Sequence, residues 1–390
     1  MNRPQTGTHH VSTAGGETVR AFVPHNLPPV PPLDLSGARQ RLLERATHAV
    51  GRLDSVSVLL PDPQLFLYSY VRREAVLSSQ IEGTQSSLSD LLLFELEEVP
   101  GVPFDDVVEV SNYVAALEHG MGRLREGFPL CNRLLREMHA KLMSRGRGGE
   151  KNPGEFRRTQ NWIGGTRPGN AHFVPPPPHE VDACMSPLEA FLHNEGDGIP
   201  LLVKAALAHV QFETIHPFLD GNGRLGRLLI ALFLHQWALL EEPLLYLSLY
   251  LKRHRATYYE LLDQVRTKGE WEAWVEFFLE GVEETALGAV ETARRLVSLF
   301  EADTRRAQEI GRGAPNVLRV LTALRQRPLL GLKQVCQNTG MTFPTASKAM
   351  QQLVKEGIAH ELTGQRRNRV FSYEAYLEIL NEGGESGVTG

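Results

Sequence analysis

The chain has 390 residues, 42% of them hydrophobic and 22% charged, a composition that suits two or three globular domains with a real core. A net charge of -5 excludes a wholly basic nucleic-acid binder, though not a local basic patch. Cys131, Cys184 and Cys336 lie far apart without metal-ligand spacing and read as reduced core thiols, no apolar run reaches about 18 residues, and no charged-then-apolar leader is visible, so a cytoplasmic location without a membrane span is expected.

Residues 1–33, rich in Gly, Thr, His and Pro, read as an extended, poorly ordered arm. Helical spacing of apolar residues follows over about 36–60 and 63–98, then 105–125 and 130–142. Between Arg157 and Pro178 the pattern breaks. Residues 158–163 read as a strand, Gly164 to Asn170 as a turn, and Ala171 to Val174 as a returning strand, closed off by four prolines. This small two-stranded flap interrupts a helical region that resumes at about 179–194 and 201–214. Further helices are expected to about 240, over 252–266 and over 271–310. Gly311 to Pro315 looks like a boundary. Short helices at about 316–326, 330–339 and 343–356, followed by a hairpin of Ile358–Leu362 and Val370–Tyr373, have the layout of a winged helix-turn-helix. The end, 382–390, is Gly- and Glu-rich and reads as a loose tail.

The segment from His216 to Arg227 concentrates the chemistry. It holds a histidine, Asp220, Asn222, Gly221, Gly223, Gly226, Arg224 and Arg227, and an apolar run from Leu228 to Leu240 follows at once. Glycines let a backbone approach phosphates, and the N–H groups at a helix start form an anion site. The arginines supply charged forks for phosphate oxygens. Asp220 can hold a magnesium ion, which prefers carboxylate and phosphate oxygens. His216 can take a proton near neutral pH. A transition-metal site on His216 and Asp220 finds no third ligand at fitting spacing. Phe233, Trp237 and the leucines of 228–240 read as core, as does His139.

The segment His216-Pro217-Phe218-Leu219-Asp220-Gly221-Asn222-Gly223-Arg224-Leu225-Gly226-Arg227 matches HPFx(D/E)GNGRxxR at every fixed position, and here the chain resembles the Fic family over about 36–310. The resemblance implies a mainly α fold: a 34–125 helical region, a 126–310 catalytic core with the flap, and a 311–381 winged helix, as in bacterial Fic adenylyltransferases. It implies transfer of AMP from ATP to a Ser, Thr or Tyr hydroxyl of a protein, with release of pyrophosphate. His216 would be the general base and Asp220 the Mg²⁺ ligand. Gly221, Asn222 and Gly223 would cradle the phosphates, and Arg224 and Arg227 would stabilise transition-state charge. Gly226 belongs to the same nucleotide-binding segment. The flap, with Ile163, Gly164, Gly165 and Thr166, would hold the target as an added strand and cover the nucleotide. Tyr258 looks like the adenine contact. Ser78-Ser79-Gln80-Ile81-Glu82-Gly83 fits the family's inhibitory pattern [S/T]xxxE[G/N], so Ser78, Glu82 and Gly83 would form an inhibitory element with Glu82 paired to Arg227. In some relatives that glutamate supports AMP removal. Auto-modification and a homodimer are further implications.

The competing reading is a nucleotide-sensing, DNA-binding transcriptional regulator. Residues 315–371 hold nine Lys/Arg against two Asp/Glu, with Lys348 and Lys355 on the expected recognition helix and Arg366, Arg367 and Arg369 in the wing. The bland alternative for this domain is protein contact or dimer assembly.

Overall fold

The structure is a computed structural model that describes residues 6–14, 17–59, 63–96, 104–146, 148–364 and 368–382. Its N-terminal segment departs from the expected loose arm. Strands β1 (Gly7–Ala14) and β2 (Glu17–Pro24) form an antiparallel hairpin in register from Gly7 opposite Pro24 to Ala14 opposite Glu17. In β2, Val19 and Ala21 are buried while Thr18 and Arg20 are exposed, the period of two that a half-buried strand requires. Val19 and Ala21 pack against Val174, and the Phe22 N–H donates to the Val174 carbonyl at 2.8 Å. The hairpin therefore lies on the flap.

Helices α1 (Ala38–Leu59) and α2 (Pro63–Ile81) follow, then α3 (Leu88–Glu95), α4 (Phe104–Arg125), α5 (Asn132–Leu142) and α6 (Val181–His193). The single helix expected over 63–98 is thus two. Gly83, at φ +100°, ends the first, and Ser87 opens the second with a capping box in which its hydroxyl accepts from the Asp90 N–H. Two central helices come next, α7 (Leu201–Ile215) and α8 (Asn222–Gln236). Every residue of α7 from Leu202 to Ile215 is buried, as suits a helix enclosed on all sides. Around this pair lie α9 (Ser248–Arg253), α10 (Arg255–Lys268) and the long α11 (Trp271–Gln308), which runs beside α1.

The C-terminal unit comprises α12 (Ala314–Gln326), β3 (Leu329–Gly331), α13 (Leu332–Thr339), α14 (Phe343–Lys355), β4 (His360–Glu361), β5 (Val370–Ser372) and α15 (Glu374–Asn381). Its strands form an antiparallel sheet in the order β3-β5-β4, the expected winged arrangement with an added third strand. Helix α15 was not foreseen; it fastens the unit to the helical body. The Tyr376 hydroxyl meets Ser69 of α2 at 3.1 Å, and that of Tyr373 donates to Asp303 of α11 at 2.6 Å. Arg366 and Arg367 of the wing lie outside the described residues. No described helix is long and apolar enough to cross a membrane.

Candidate active site

Helix α7 stops at His216, whose backbone sits at φ 50°, ψ 59°. A left-handed conformation costs a non-glycine residue about 1–2 kcal/mol, so neighbours must hold it. Arg157 is 3% exposed and does so: its Nε donates to the His216 carbonyl at 2.9 Å and its Nη2 to the Pro176 carbonyl at 2.5 Å. One guanidinium thereby ties the end of α7 to the proline run beyond the flap. Asn222 closes the loop, accepting from the Phe218 N–H at 2.9 Å and donating to its carbonyl at 2.8 Å. His139 on α5 stacks on Phe218 with ring centroids 3.8 Å apart. Its Nδ1 accepts from the Gly154 N–H at 2.8 Å, so Nε2 is the atom that carries hydrogen and donates to the Asp220 carbonyl at 3.0 Å.

The half-buried His216 ring makes no hydrogen bond at Nδ1 among the described residues. Burial, aided by Arg266 and Arg157, pushes it down to about 4, so it is neutral at physiological pH. After Gly221, at φ 73°, the chain turns directly into α8. The N–H groups of 222–224 have no intrahelical acceptor by the geometry of a helix start. Asp220 stands beside them. Burial pushes its carboxyl up, but the Gly221 N–H at 2.7 Å and the Lys151 ammonium at 3.2 Å outweigh that and hold it below the usual carboxylate range.

Arg227, whose side chain is 2% exposed, points back to α2. It pairs with Glu82 at 2.8 Å, donates from Nε to the Ser78 hydroxyl at 2.8 Å and from Nη2 to the Ser78 carbonyl at 3.0 Å. Burial raises the Glu82 carboxyl, but the Arg227 charge more than reverses this. A Cβ on Gly223 would meet the Glu82 carboxylate, so that carboxylate overhangs the start of α8. Gly83 contributes its positive φ alone.

Several site residues stand elsewhere than the sequence pattern suggests. The Asn222 side-chain amide closes the loop on Phe218, which leaves its backbone N–H at the start of α8 facing outward from the helix ladder. Gly226 faces α7: a Cβ there would meet Phe212 and the Glu213 carboxylate, so its smallness serves helix packing. Arg224 is buried against Glu109 of α4 at 3.3 Å and reaches Asp220 only at 4.0 Å. Tyr258 is 1% exposed, with its hydroxyl on His209 at 2.9 Å, and belongs to the core; Tyr259, next along α10, is 42% exposed and feels both Glu82 and Arg227. The flap shrinks to one β-bridge, between Ile163 and Phe173. Gly164 and Gly165 each take φ 69°, and Asn170 accepts the Thr166 N–H at 3.0 Å. With four prolines behind it and β2 bonded to Val174, the flap has little backbone left for a longer ladder.

Arg157, Glu213, Arg266 and Lys151 were not singled out from the sequence. Arg266 on α10 lies 4.0 Å over the Phe173 ring and donates to the Thr214 hydroxyl at 3.2 Å, joining the flap to α7. Only Lys151 carried a signal, a basic residue in a Gly-rich turn; the others lie in ordinary helical or loop sequence.

The helical body, the loop between its central helices and the appended winged unit together define a helical scaffold with a helix-turn-helix tail. Residues 40–122 match the Fic/DOC family N-terminal domain, residues 129–234 the Fic/DOC family domain, and residues 314–362 the IclR helix-turn-helix domain. The chain thus carries a Fic N-terminal domain followed by a Fic domain. It is similar to the protein adenylyltransferase Fic of Culex quinquefasciatus, 32% identical over 213 residues, which cover 53% of this chain and 39% of that protein. The protein adenylyltransferase Fic of Drosophila grimshawi is 29% identical over 211 residues, with 53% and 40% covered. The chain thus matches about two fifths of these relatives' length. In fold it resembles a Fic family protein from Desulfovibrio desulfuricans, with a TM-score of 0.57 at 21% identity, over 88% of this chain and 98% of that one. A Fic domain containing signaling protein from Bacteroides thetaiotaomicron gives 0.53 at 21% identity, over 64% and 97%.

Proposed function

We propose that the protein is a protein adenylyltransferase that moves AMP from ATP to a hydroxyl of a protein, itself included, and that Glu82 restrains it. The observation that carries this reading is the neutral, half-buried His216 ring beside the open N-terminus of α8. His216 takes the proton of the target hydroxyl, whose oxygen bonds to the α-phosphorus of ATP. The bond to the bridging oxygen breaks, and pyrophosphate leaves with that electron pair. A positioned base contributes about 10²–10⁴-fold. Gly221, Gly223 and the first N–H groups of α8 seat the phosphates. Asp220 fits a magnesium ligand: its carboxyl is ionised, partly exposed and adjacent to the phosphate seat. There Mg²⁺ would supply charge neutralisation on the phosphates. The flap, with Ile163 to Thr166, would align the target through its backbone.

Restraint follows from Arg227. A guanidinium held by Glu82 and Ser78 is not available to the γ-phosphate, and misplacement by about 1 Å can cost about 10²-fold. Incubation with α-labelled ATP and Mg²⁺ tests this. The unaltered protein labels itself weakly, Glu82→Gly labels about 10²-fold more, and His216→Ala not at all. Absence of label on Glu82→Gly with ATP overturns the reading. Label supplied equally well by UTP, GTP or CTP overturns the assignment of ATP. Net removal of AMP from a labelled protein by the unaltered enzyme would make Glu82 a participant in the reverse direction.

A second role attaches to the winged unit. Lys348 and Lys355 are exposed on α14, within the segment that matches a helix-turn-helix domain. DNA binding through this face would fall steeply with salt and weaken in Lys348→Ala. Binding unaffected by both removes it.

A further inference from the structure

A cavity of about 320 Å³ lies among α2, α9, α11 and the end of α15, and none of its lining residues belongs to the 216–227 loop. Its walls include the rings of Tyr70, Tyr246 and Tyr250, all buried. The charged lining is three arginines against four glutamates. Arg253 is paired with Glu284 at 3.0 Å and Arg295 with the Glu382 carboxylate at 2.6 Å, while Arg73 donates to the Glu382 carbonyl at 2.7 Å. Glu74 makes no ion pair among the described residues, although the Arg227 charge acts on its carboxyl. It is 3% exposed; its Oε1 accepts from the hydroxyls of Ser248 and Tyr113, and its Oε2 makes no hydrogen bond among the described residues. The Tyr246 hydroxyl, on a side chain 6% exposed, makes none either. Two unsatisfied buried oxygens on residues that line one cavity are costly and rare in native proteins. A water could satisfy either oxygen, but would leave the ring faces unmatched.

We propose that this cavity is a binding site for a small organic ammonium, with Glu74 as its counter-ion, the Tyr246 hydroxyl as its second hydrogen-bond partner and the tyrosine rings as its wall. Aromatic faces attract such cations. The site suits this occupant in a further way: burial pushes the Glu74 carboxyl up to about 7, and a bound cation would favour its charged form.

Calorimetric titration of the full chain with n-butylammonium chloride tests the site without reference to catalysis. Saturable binding in the millimolar range is expected, with 1-butanol and butyrate weaker by about tenfold or more, because a buried hydrogen bond to a charged group is lost. Glu74→Gln should weaken n-butylammonium binding about tenfold. If that variant fails to fold, Tyr246→Phe decides: it deletes a single oxygen and should weaken binding severalfold at an unchanged melting temperature. No saturation with n-butylammonium, equal binding of 1-butanol, or unchanged affinity in Tyr246→Phe overturns the proposal.

Discussion

Arg227 shows how one side chain can be both buried and conditional. Burial disfavours its charge, and the Glu82 carboxylate reverses that, so that the guanidinium is held more firmly ionised than usual. It cannot lose Glu82 without another anion in exchange, since a buried charge left without a partner is costly. A triphosphate is such an anion. Ser78 shares the hold through both its hydroxyl and its carbonyl. Ser78→Ala removes only the hydroxyl and leaves one buried N–H without its acceptor. Hydrogen bonds to charged groups contribute about 1.5–3 kcal/mol, so self-labelling should rise roughly tenfold, to a level between the unaltered protein and Glu82→Gly. Measured in the same α-labelled ATP assay, a rate equal to that of the unaltered protein would make Ser78 a bystander and leave Glu82 as the restraint.

At the level of elements, the α7–α8 junction sets the site. Gly226 lets the two helices approach until Phe212 and Glu213 occupy the space of a side chain. Gly226→Ala should push α8 outward and destabilise the protein by about 1–3 kcal/mol, the usual cost of overpacking a core. A thermal melt at or above that of the unaltered protein would show that the contact has slack. The same junction shows what a sequence can and cannot reveal. The loop was legible because its chemistry sits in twelve consecutive residues, and the long helices because their apolar period runs for several turns. The β1–β2 hairpin was missed because its alternation is short and sits among prolines and glycines, and α9 because six residues are too few for a period. Tyr258 and Tyr259 are adjacent and about 100° apart on α10, so which one faces inward depends on where α7 lies, and local spacing does not encode it. The partners of Asn222 and Arg224 depend on contacts across the loop and to α4, which local spacing does not encode.

Across the whole molecule, burial shifts histidines and glutamates in opposite directions, and the balance fixes how stability responds to pH. His139, His209 and His216 are each pushed down to about 4. The unfolded chain, with histidines near 6.5, therefore binds up to three more protons through them between about pH 6.5 and 4, and stability falls as pH falls. Glu74 and Glu213 are pushed up to about 7. Between about pH 7 and 4.3 the folded chain binds up to two more protons through them, and stability rises as pH falls. In the shared window the net excess is about one proton on the unfolded side, a slope of about 1.4 kcal/mol per pH unit. Below about 4.3 the glutamates no longer oppose the loss, and Glu82 and Asp220, held below their usual range, add to it. Stability should therefore decline gently to about pH 4.5 and steeply beyond. Glu213→Gln removes one opposing group and should roughly double the slope in the upper window, to about 2.7 kcal/mol per pH unit. Urea denaturation at several pH values measures both slopes, and an unchanged slope in Glu213→Gln would mean that its carboxyl titrates normally in the folded protein.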